Sequence, residues 1–343
     1  MSQRRVPRPP RRRLMPVWQM ALYHLLALGV ALVLFALPHH VLQGKSKKVD
    51  LKKPAQATVQ PQSSEPTAAP DANATQLAQG TQTPAGDPLV AESYNWWSEL
   101  FTDQPYTEGS LHVGRNTRVE IRETREETQQ YFVADVYVRN VTHLVGVFAQ
   151  DKVGKGVREP ILDAASRTGS VVMVNGDYYG GRSAVICARN GELYKTSDST
   201  DREICVLYCD GTMKTFLAGE LDPEAEMAKG AYHIFNFGPG LLNEDGTPRT
   251  DFSAYDDISG KHPRTVLGYI EPGHYLLVVI DGRMSKIRGL SLTGLAEFMQ
   301  SLGCRQAFNM DGGQTSQMVV GTTLINTPYK GGRNCSDYIA VID

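Results

Sequence analysis

"FNMDGGQTSQMVV", residues 308–320, runs apolar, breaks, and runs apolar again. The break holds an amide, a carboxylate, bare backbone and hydroxyls: Asn309, Asp311, Gly312, Gly313, Gln314, Thr315 and Ser316. A polar hairpin turn accounts for such a pattern. So does a site that grips an oxygen-rich ligand, and the surrounding chain has to decide. Working outward, runs rich in branched or aromatic residues predict strands at "YFVADVYV" (131–138), "VVMV" (171–174), "ICVLY" (204–208), "RTVLGYI" (264–270), "YLLVVI" (275–280) and "YIAVI" (338–342). Helical patterns are fewer: "REPILDAASRT" (158–168), "DPEAEMAKG" (222–230) and "SLTGLAEFMQSLGC" (291–304). In the last, Leu292, Leu295, Phe298, Met299 and Leu302 share a face and Gly303 supplies the stop. "SYNWWSELF" (93–101) reads as a short amphipathic lead-in. Strands outnumber helices without alternating regularly with them, which predicts one mixed α+β domain with a strand-rich core rather than a doubly wound sheet. That domain spans 92–343, long enough for a sizeable core.

The rest of the 343-residue chain reads differently. The formal net charge is −2, but it is polarised: residues 1–53 carry +10, 54–91 carry −3 and 92–343 carry −9. An acidic body is a poor partner for nucleic acid, whose binding is dominated by phosphate charge. Residues 1–16 are a short basic tail. Residues 17–37, "VWQMALYHLLALGVALVLFAL", carry no formal charge, and as a helix they extend roughly 31 Å, enough to cross a bilayer. Residues 54–90 are dominated by Pro, Ala, Gln, Thr, Ser and Gly, a composition that predicts a disordered linker, taken over 38–91. No small-x-small cleavage site follows the apolar run. The order of segments predicts an uncleaved, single-pass signal anchor with the C-terminal domain outside the cytoplasm.

Five cysteines offer no metal-binding spacing. Cys205 and Cys209 sit too far apart along a predicted strand to pair with each other, about 13 Å. Buried apolar thiols are the expectation for most of the five.

Several strands end in the same polar style. "VVMV" meets Asn175, Gly176 and Asp177; "YLLVVI" meets Asp281, Gly282 and Arg283; "AFNM" meets Asp311, Gly312 and Gly313. One Asp-Gly is an ordinary turn, but three in one domain suggest polar groups converging on a rigid sheet. Arg264 begins a strand after Pro263, and Arg333 follows Gly331 and Gly332. Such guanidinium forks suit phosphate or carboxylate, while simple surface pairing with Asp281 or Asp337 is the alternative. His233 and His262 flank strand-like runs and are candidates for a general acid or for plain structural histidines. "FNFGPGLLNEDG" (235–246) suits either a cleft-lining loop or a turn.

The "NGDYY" turn, the "HPRT" strand start, the "DGR" turn, the "GLSLTGLAEFMQSLGC" helix and "NMDGG", in that order, resemble the landmarks of the phosphodiester glycosidase family from about Tyr131 to the C-terminus. Where the family usually has Gly-Ser-Ser after its Asp-Gly-Gly, this chain has Gln314, Thr315 and Ser316. The resemblance implies a hydrolase that cleaves a sugar-1-phosphodiester to free sugar and phosphomonoester, in cell-envelope or exopolysaccharide metabolism, with no cofactor. On that basis Arg264 and Arg333 bind phosphate, assisted by backbone N–H groups of Gly312 and Gly313. Asp311 acts as nucleophile, base or electrostatic stabiliser, and Asp177 is the second carboxylate. Asn175, Asn309, Thr315 and Ser316 hold sugar or phosphate oxygens, and Asp281 and Arg283 bind ligand or orient its partners. Two alternatives share these residues. One is a membrane-tethered binder of phosphorylated polysaccharide without chemistry. The other is a metal-dependent hydrolase using Asp177, Asp281, Asp311 and Asn309 as oxygen donors, although no ligand spacing demands a metal.

Overall fold

A computed structural model describes residues 47–48, 95–197 and 200–343. The expected tail, membrane span and most of the linker lie outside these residues. Within the stretch expected to be a structureless linker, Lys47–Lys48 pair antiparallel with Lys152–Val153. Among the described residues, no helix is long and apolar enough to cross a membrane.

The body is strand-rich with few helices. A seven-stranded sheet runs, in spatial order, Gln306–Asn309, Arg264–Glu271, His274–Ile280, Gln130–Val138, Thr117–Arg125, Leu111–Val113 and Tyr106–Glu108. One five-stranded sheet holds Thr323–Leu324, Met318–Val320, Val172–Asn175, Asp337–Val341 and Leu144–Phe148; a second holds Glu192–Lys195, Cys187–Arg189, Ala231–Asn236, Ile204–Tyr208 and Met213–Phe216. Neighbours in all three sheets pair antiparallel. The six predicted strands are all present, as are the helices Ile161–Thr168, Pro223–Ala228 and Leu292–Ser301. The lead-in forms a 3-10 turn over Asn95–Leu100.

The unbroken apolar run of His274–Ile280 has a physical reason: the strand is buried on both faces. Leu277 and Val279 enter a core shared with Val172, Val174 and Ile339 of one five-stranded sheet and Cys205 and Phe235 of the other. Leu276, Val278 and Ile280 point the opposite way, against Leu292, Leu295, Ala296 and Met299 of the helix. Each such side chain contributes about 1.5–3 kcal/mol on burial. Ser291 caps that helix by accepting from the Gly294 N–H. Gly268 lets it pack closely: a Cβ there would meet Met299 Cε and Cys304 Sγ at 2.8 Å.

The opening stretch is not a hairpin. Its first run is the edge strand of the seven-stranded sheet, with Asn309 opposite Val266. Its second run, Met318–Val320, pairs with Val172–Asn175 of a different sheet. The polar residues between them carry the chain from one sheet to the other, and this crossing places the site.

All five cysteines are free; four are buried and Cys209 is half-buried. His233 is buried, its Nε2 2.8 Å from the Leu144 carbonyl and its Nδ1 3.3 Å from the Asn190 N–H. Burial, and to a smaller degree the charge of Arg189, pull its pKa down to about 3 against the opposing bond to the Leu144 carbonyl, so it is a neutral structural histidine.

Candidate active site

At the crossing, Asn175 acts as a knot. Its Nδ2 donates to the Asp311 carbonyl at 2.7 Å and to the Gly176 carbonyl at 3.2 Å. Its Oδ1 accepts from Thr265 Oγ1 at 2.7 Å and from the Gln317 N–H at 3.3 Å. One side chain therefore ties three strand ends together with its whole hydrogen-bonding capacity. The expectation that Asn175 holds a ligand oxygen is corrected accordingly: it holds protein.

Beside this knot opens a cavity of about 310 Å³, lined by Arg264, Arg283, Lys330 and Arg333, by Asp311, and by His262, Phe237, Asn309, Gly312, Gly313, Gln314 and Tyr329 among others. Four cations surround one carboxylate. Asp311 has a side chain only 14 % exposed, with Arg333 Nη2 3.3 Å from its Oδ2. Its Oδ1 accepts from the Gly312 N–H at 2.9 Å. Burial pushes its pKa up; Arg333, the Gly312 N–H and the Thr315 hydroxyl draw it down, and Asp177 adds a further push upward.

Arg264 is buried, and its guanidinium is fixed by carbonyls rather than by a carboxylate: Nε donates to Leu290 at 3.0 Å, and Nη2 to Ile258 and Gly260 at 2.7 and 2.6 Å. Burial and the neighbouring Arg283 pull its pKa down to about 10. Arg283 lies 3.4 Å from His262 Nδ1 and over the Tyr329 ring at 5.7 Å. His262 is pulled below its ordinary range by burial, Arg264 and Arg283, which favours the neutral ring at pH 7. Lys330 Nζ also lies over the Tyr329 ring, 5.4 Å from its centroid. Among the described residues, Arg264, Arg283 and Lys330 form no ion pair with a carboxylate. The surface pairing of Arg283 with Asp281, or of Arg333 with Asp337, is not what the structure holds.

Other expected site residues have different places. The Asp281 carboxylate is buried, accepting from Asn326 Nδ2 at 2.8 Å and the Thr327 N–H at 2.9 Å, and it does not line the cavity. Asp177 accepts from the Tyr179 and Asn236 N–H groups and pairs with Arg189 at 3.0 Å. It reaches only a crevice of about 10 Å³ that it shares with Asp311, Thr315 and Arg333. The Gly313 N–H donates to the Pro263 carbonyl at 3.0 Å, and that of Gly312 to Asp311. The expected pair of free backbone donors is therefore corrected: both are occupied. Gly313 is nonetheless required there, with φ +70 and Arg283 Nη1 2.8 Å from the position of a Cβ. Thr315 Oγ1 donates to the Gly312 carbonyl at 2.8 Å. Ser316 is buried away from the cavity, its hydroxyl without a protein partner. Asn309 does line the cavity; its Nδ2 donates to the Gly238 carbonyl at 2.8 Å and its Oδ1 has no partner. Among the described residues, no group of three or more His, Cys, Asp or Glu side chains is placed to hold a metal ion.

Lys330 and Tyr329 were not singled out by sequence, although both stand in the stretch that carries Arg333. Lys330, Gly331 and Gly332 adopt φ of 52, 77 and 87 in succession, curling this loop over the cavity. Gln314 Nε2 donates to the Gly332 carbonyl at 2.9 Å, and Gln317 Nε2 to that of Arg333 at 2.9 Å. The two glutamines pin the cation-bearing loop to the Asp311 loop.

Fold and site together define a strand-rich protein with a cation-lined cleft around a single carboxylate, a cleft suited to an anionic ligand. The phosphodiester glycosidase family model matches residues 168–342, which include every residue of that cleft. The chain belongs to this family. It is 35% identical over 194 residues to the SPbeta prophage-derived uncharacterized protein YomE of Bacillus subtilis (strain 168), covering 54% of this chain and 29% of that protein. It is 27% identical over 188 residues to mouse N-acetylglucosamine-1-phosphodiester alpha-N-acetylglucosaminidase, covering 50% of this chain and 36% of that protein. The matched stretch thus spans only about a third of the length of either relative. In fold, the chain is similar to the catalytic domain of the zebrafish N-acetylglucosamine-1-phosphodiester alpha-N-acetylglucosaminidase, auto-inhibited by pro-peptide, with a TM-score of 0.51 and 16% identity over 74% of this chain and 94% of that one.

Proposed function

We propose that the protein hydrolyses a sugar-1-phosphodiester, breaking the bond between the anomeric carbon and the phosphate oxygen to give free sugar and a phosphomonoester. The observation that carries this reading is the placing of Asp311 among Arg264, Arg283, Lys330 and Arg333. A phosphate is already a good leaving group, so the reaction asks less of a general acid than an ordinary glycoside does. It asks for cations on the departing phosphate and a carboxylate beside the carbon that becomes positive. Arg333 meets the first need, backed by the charge of Arg264 in the same cleft, and the Asp311 carboxylate the second. The neutral His262 accepts from Arg283 and orients it. Asn309 borders the cleft and fixes its wall through the Nδ2 bond to the Gly238 carbonyl. Asp177, paired with Arg189, borders the small crevice that it shares with Asp311.

The mouse relative, named for its action on an N-acetylglucosamine-1-phosphodiester, supports the reaction class. The apolar, uncharged 17–37 and the polar 38–91 support an anchored enzyme whose C-terminal domain faces the cell envelope, where phosphodiester-linked polysaccharide is the natural substrate. The test is incubation of the full-length chain with α-glycosyl-1-phosphodiesters of several sugars, following release of reducing sugar. Release from at least one supports a hydrolase. Tight retention of the ligand without release points instead to a non-catalytic binder, and activity lost to a chelator and restored by a divalent cation points to the metal-dependent reading.

A further inference from the structure

The cavity holds more positive charge than one phosphodiester can balance. A diester phosphate carries a single negative charge, whereas the cleft sets four cations against Asp311. The cations also fall into two groups. Arg333 is tied to Asp311 at 3.3 Å, next to where the reacting carbon must sit. Arg283 and Lys330 both lie over the Tyr329 ring, at 5.7 and 5.4 Å, with Arg264 in the same cavity wall, and these three lack a carboxylate among the described residues. They are held in place without an anion: Arg264 by three carbonyls, Arg283 by the His262 ring and a left-handed backbone at φ 60, Lys330 by its own strained loop at φ 52. Keeping three like charges together is costly unless something outside the chain neutralises them. The residues 92–343 carry −9 overall, so this surplus is local to the cleft and not a property of the surface.

Building on the hydrolase reading above, we propose that the preferred substrate carries a second phosphoryl group on its leaving side, so that the enzyme acts on a glycosyl-1-diphosphate ester. The phosphoryl group next to the sugar sits at Arg333, and the second sits among Arg264, Arg283 and Lys330. The C1–O bond breaks with its electron pair passing to the diphosphate. Water supplies the oxygen of the new C1–OH bond, and its proton leaves through Asp311 to solvent. The products are free sugar and a diphosphate monoester, and no other reactant is needed.

The test uses the full-length chain and matched methyl esters of glycosyl-1-phosphate and glycosyl-1-diphosphate, made with glucose, galactose, mannose and N-acetylglucosamine. For whichever sugar is released, kcat/KM for the diphosphate should exceed that for the monophosphate by about tenfold or more. Lys330→Ala should lower this ratio several-fold and Lys330→Arg should keep it. A ratio near one, or one unmoved by Lys330→Ala, overturns the inference while leaving the hydrolase reading intact. If neither ester releases sugar, the hydrolase reading fails. Calorimetric titration of the same two esters then decides the second-phosphoryl seat: equal affinities overturn it, and tighter diphosphate binding that weakens in Lys330→Ala upholds it.

Discussion

Two charged clusters lie back to back across Asp311, and their ratios are opposite. In the open cleft, four cations surround one carboxylate. In the closed cluster behind it, two carboxylates share one arginine: Arg189 Nη2 lies 3.0 Å from Asp177 and 2.7 Å from Asp337, with all three side chains fully buried. The three side chains of the closed cluster are shut off from solvent, so it is balanced from within. Burial and the neighbouring Asp177 push the Asp337 pKa up, and one proton retained there leaves a neutral pair. The open cleft has no such internal balance, which suits it to an anionic ligand. The contrast separates a structural ion cluster from a binding site more sharply than residue type does, since both are made of Asp and Arg.

The largest expected effect is on the open side. Asp311→Asn should lower kcat roughly 10²–10⁴-fold while the melting temperature holds, measured by steady-state kinetics and calorimetry on the same preparation. Near-normal turnover in this variant would remove Asp311 from the chemistry. On the closed side, Arg189→Met leaves two carboxylates facing each other in the interior and should cost about 3–5 kcal/mol in urea unfolding; a cost under about 1 kcal/mol would mean that the cluster is not buried as described. Arg333→Ala should lower kcat/KM by roughly 10–100-fold through loss of a charge-assisted bond to the substrate.

Two pH effects are smaller and differ between the clusters. Because burial raises the Asp311 pKa, the acidic limb of kcat/KM should lie above the ordinary aspartate value of about 3.9, with activity rising as Asp311 ionises. For Asp337 the folded pKa is also raised, so the folded state binds more protons than the unfolded one between the ordinary carboxylate range and the raised value. Stability is therefore fully present in acid and declines as pH rises through that window. Asp337→Asn should flatten this decline, by on the order of 1 kcal/mol between pH 5 and pH 8 in urea titrations. An unchanged slope would place the proton elsewhere.

Much of the fold was legible because burial on both faces writes continuous apolar runs, as in His274–Ile280, and because helix Leu292–Ser301 repeats its apolar residues at helical spacing. Thr117–Arg125 was harder to see, since charged residues alternate with its buried Thr117, Val119 and Ile121. The site was legible only as punctuation. Strand ends with Asp, Gly and Arg pointed to the right loops but not to the direction each group faces. Asn175 and Asp281 looked like ligands because they are polar and follow strands. They prove to be ties, each engaged by partners more than 40 residues away in sequence. The pairing of Asp177 with Arg189 and of Arg189 with Asp337 joins two strands and the loop after a third, an adjacency that no local pattern records. Lys330 was missed because a lysine beside glycines is ordinary in a loop. Only the left-handed turn and the two glutamine clamps bring it over the cleft.

The proposed reaction places attack at the anomeric carbon, beside Asp311, and not at phosphorus. Hydrolysis of a glycosyl-1-phosphodiester in ¹⁸O-labelled water, followed by mass spectrometry of both products, reads this directly. The label should enter the free sugar and leave the phosphomonoester unlabelled. Label in the phosphate would mean cleavage at phosphorus, and the assignment of Asp311 and its surrounding cations to a glycosidase would be wrong.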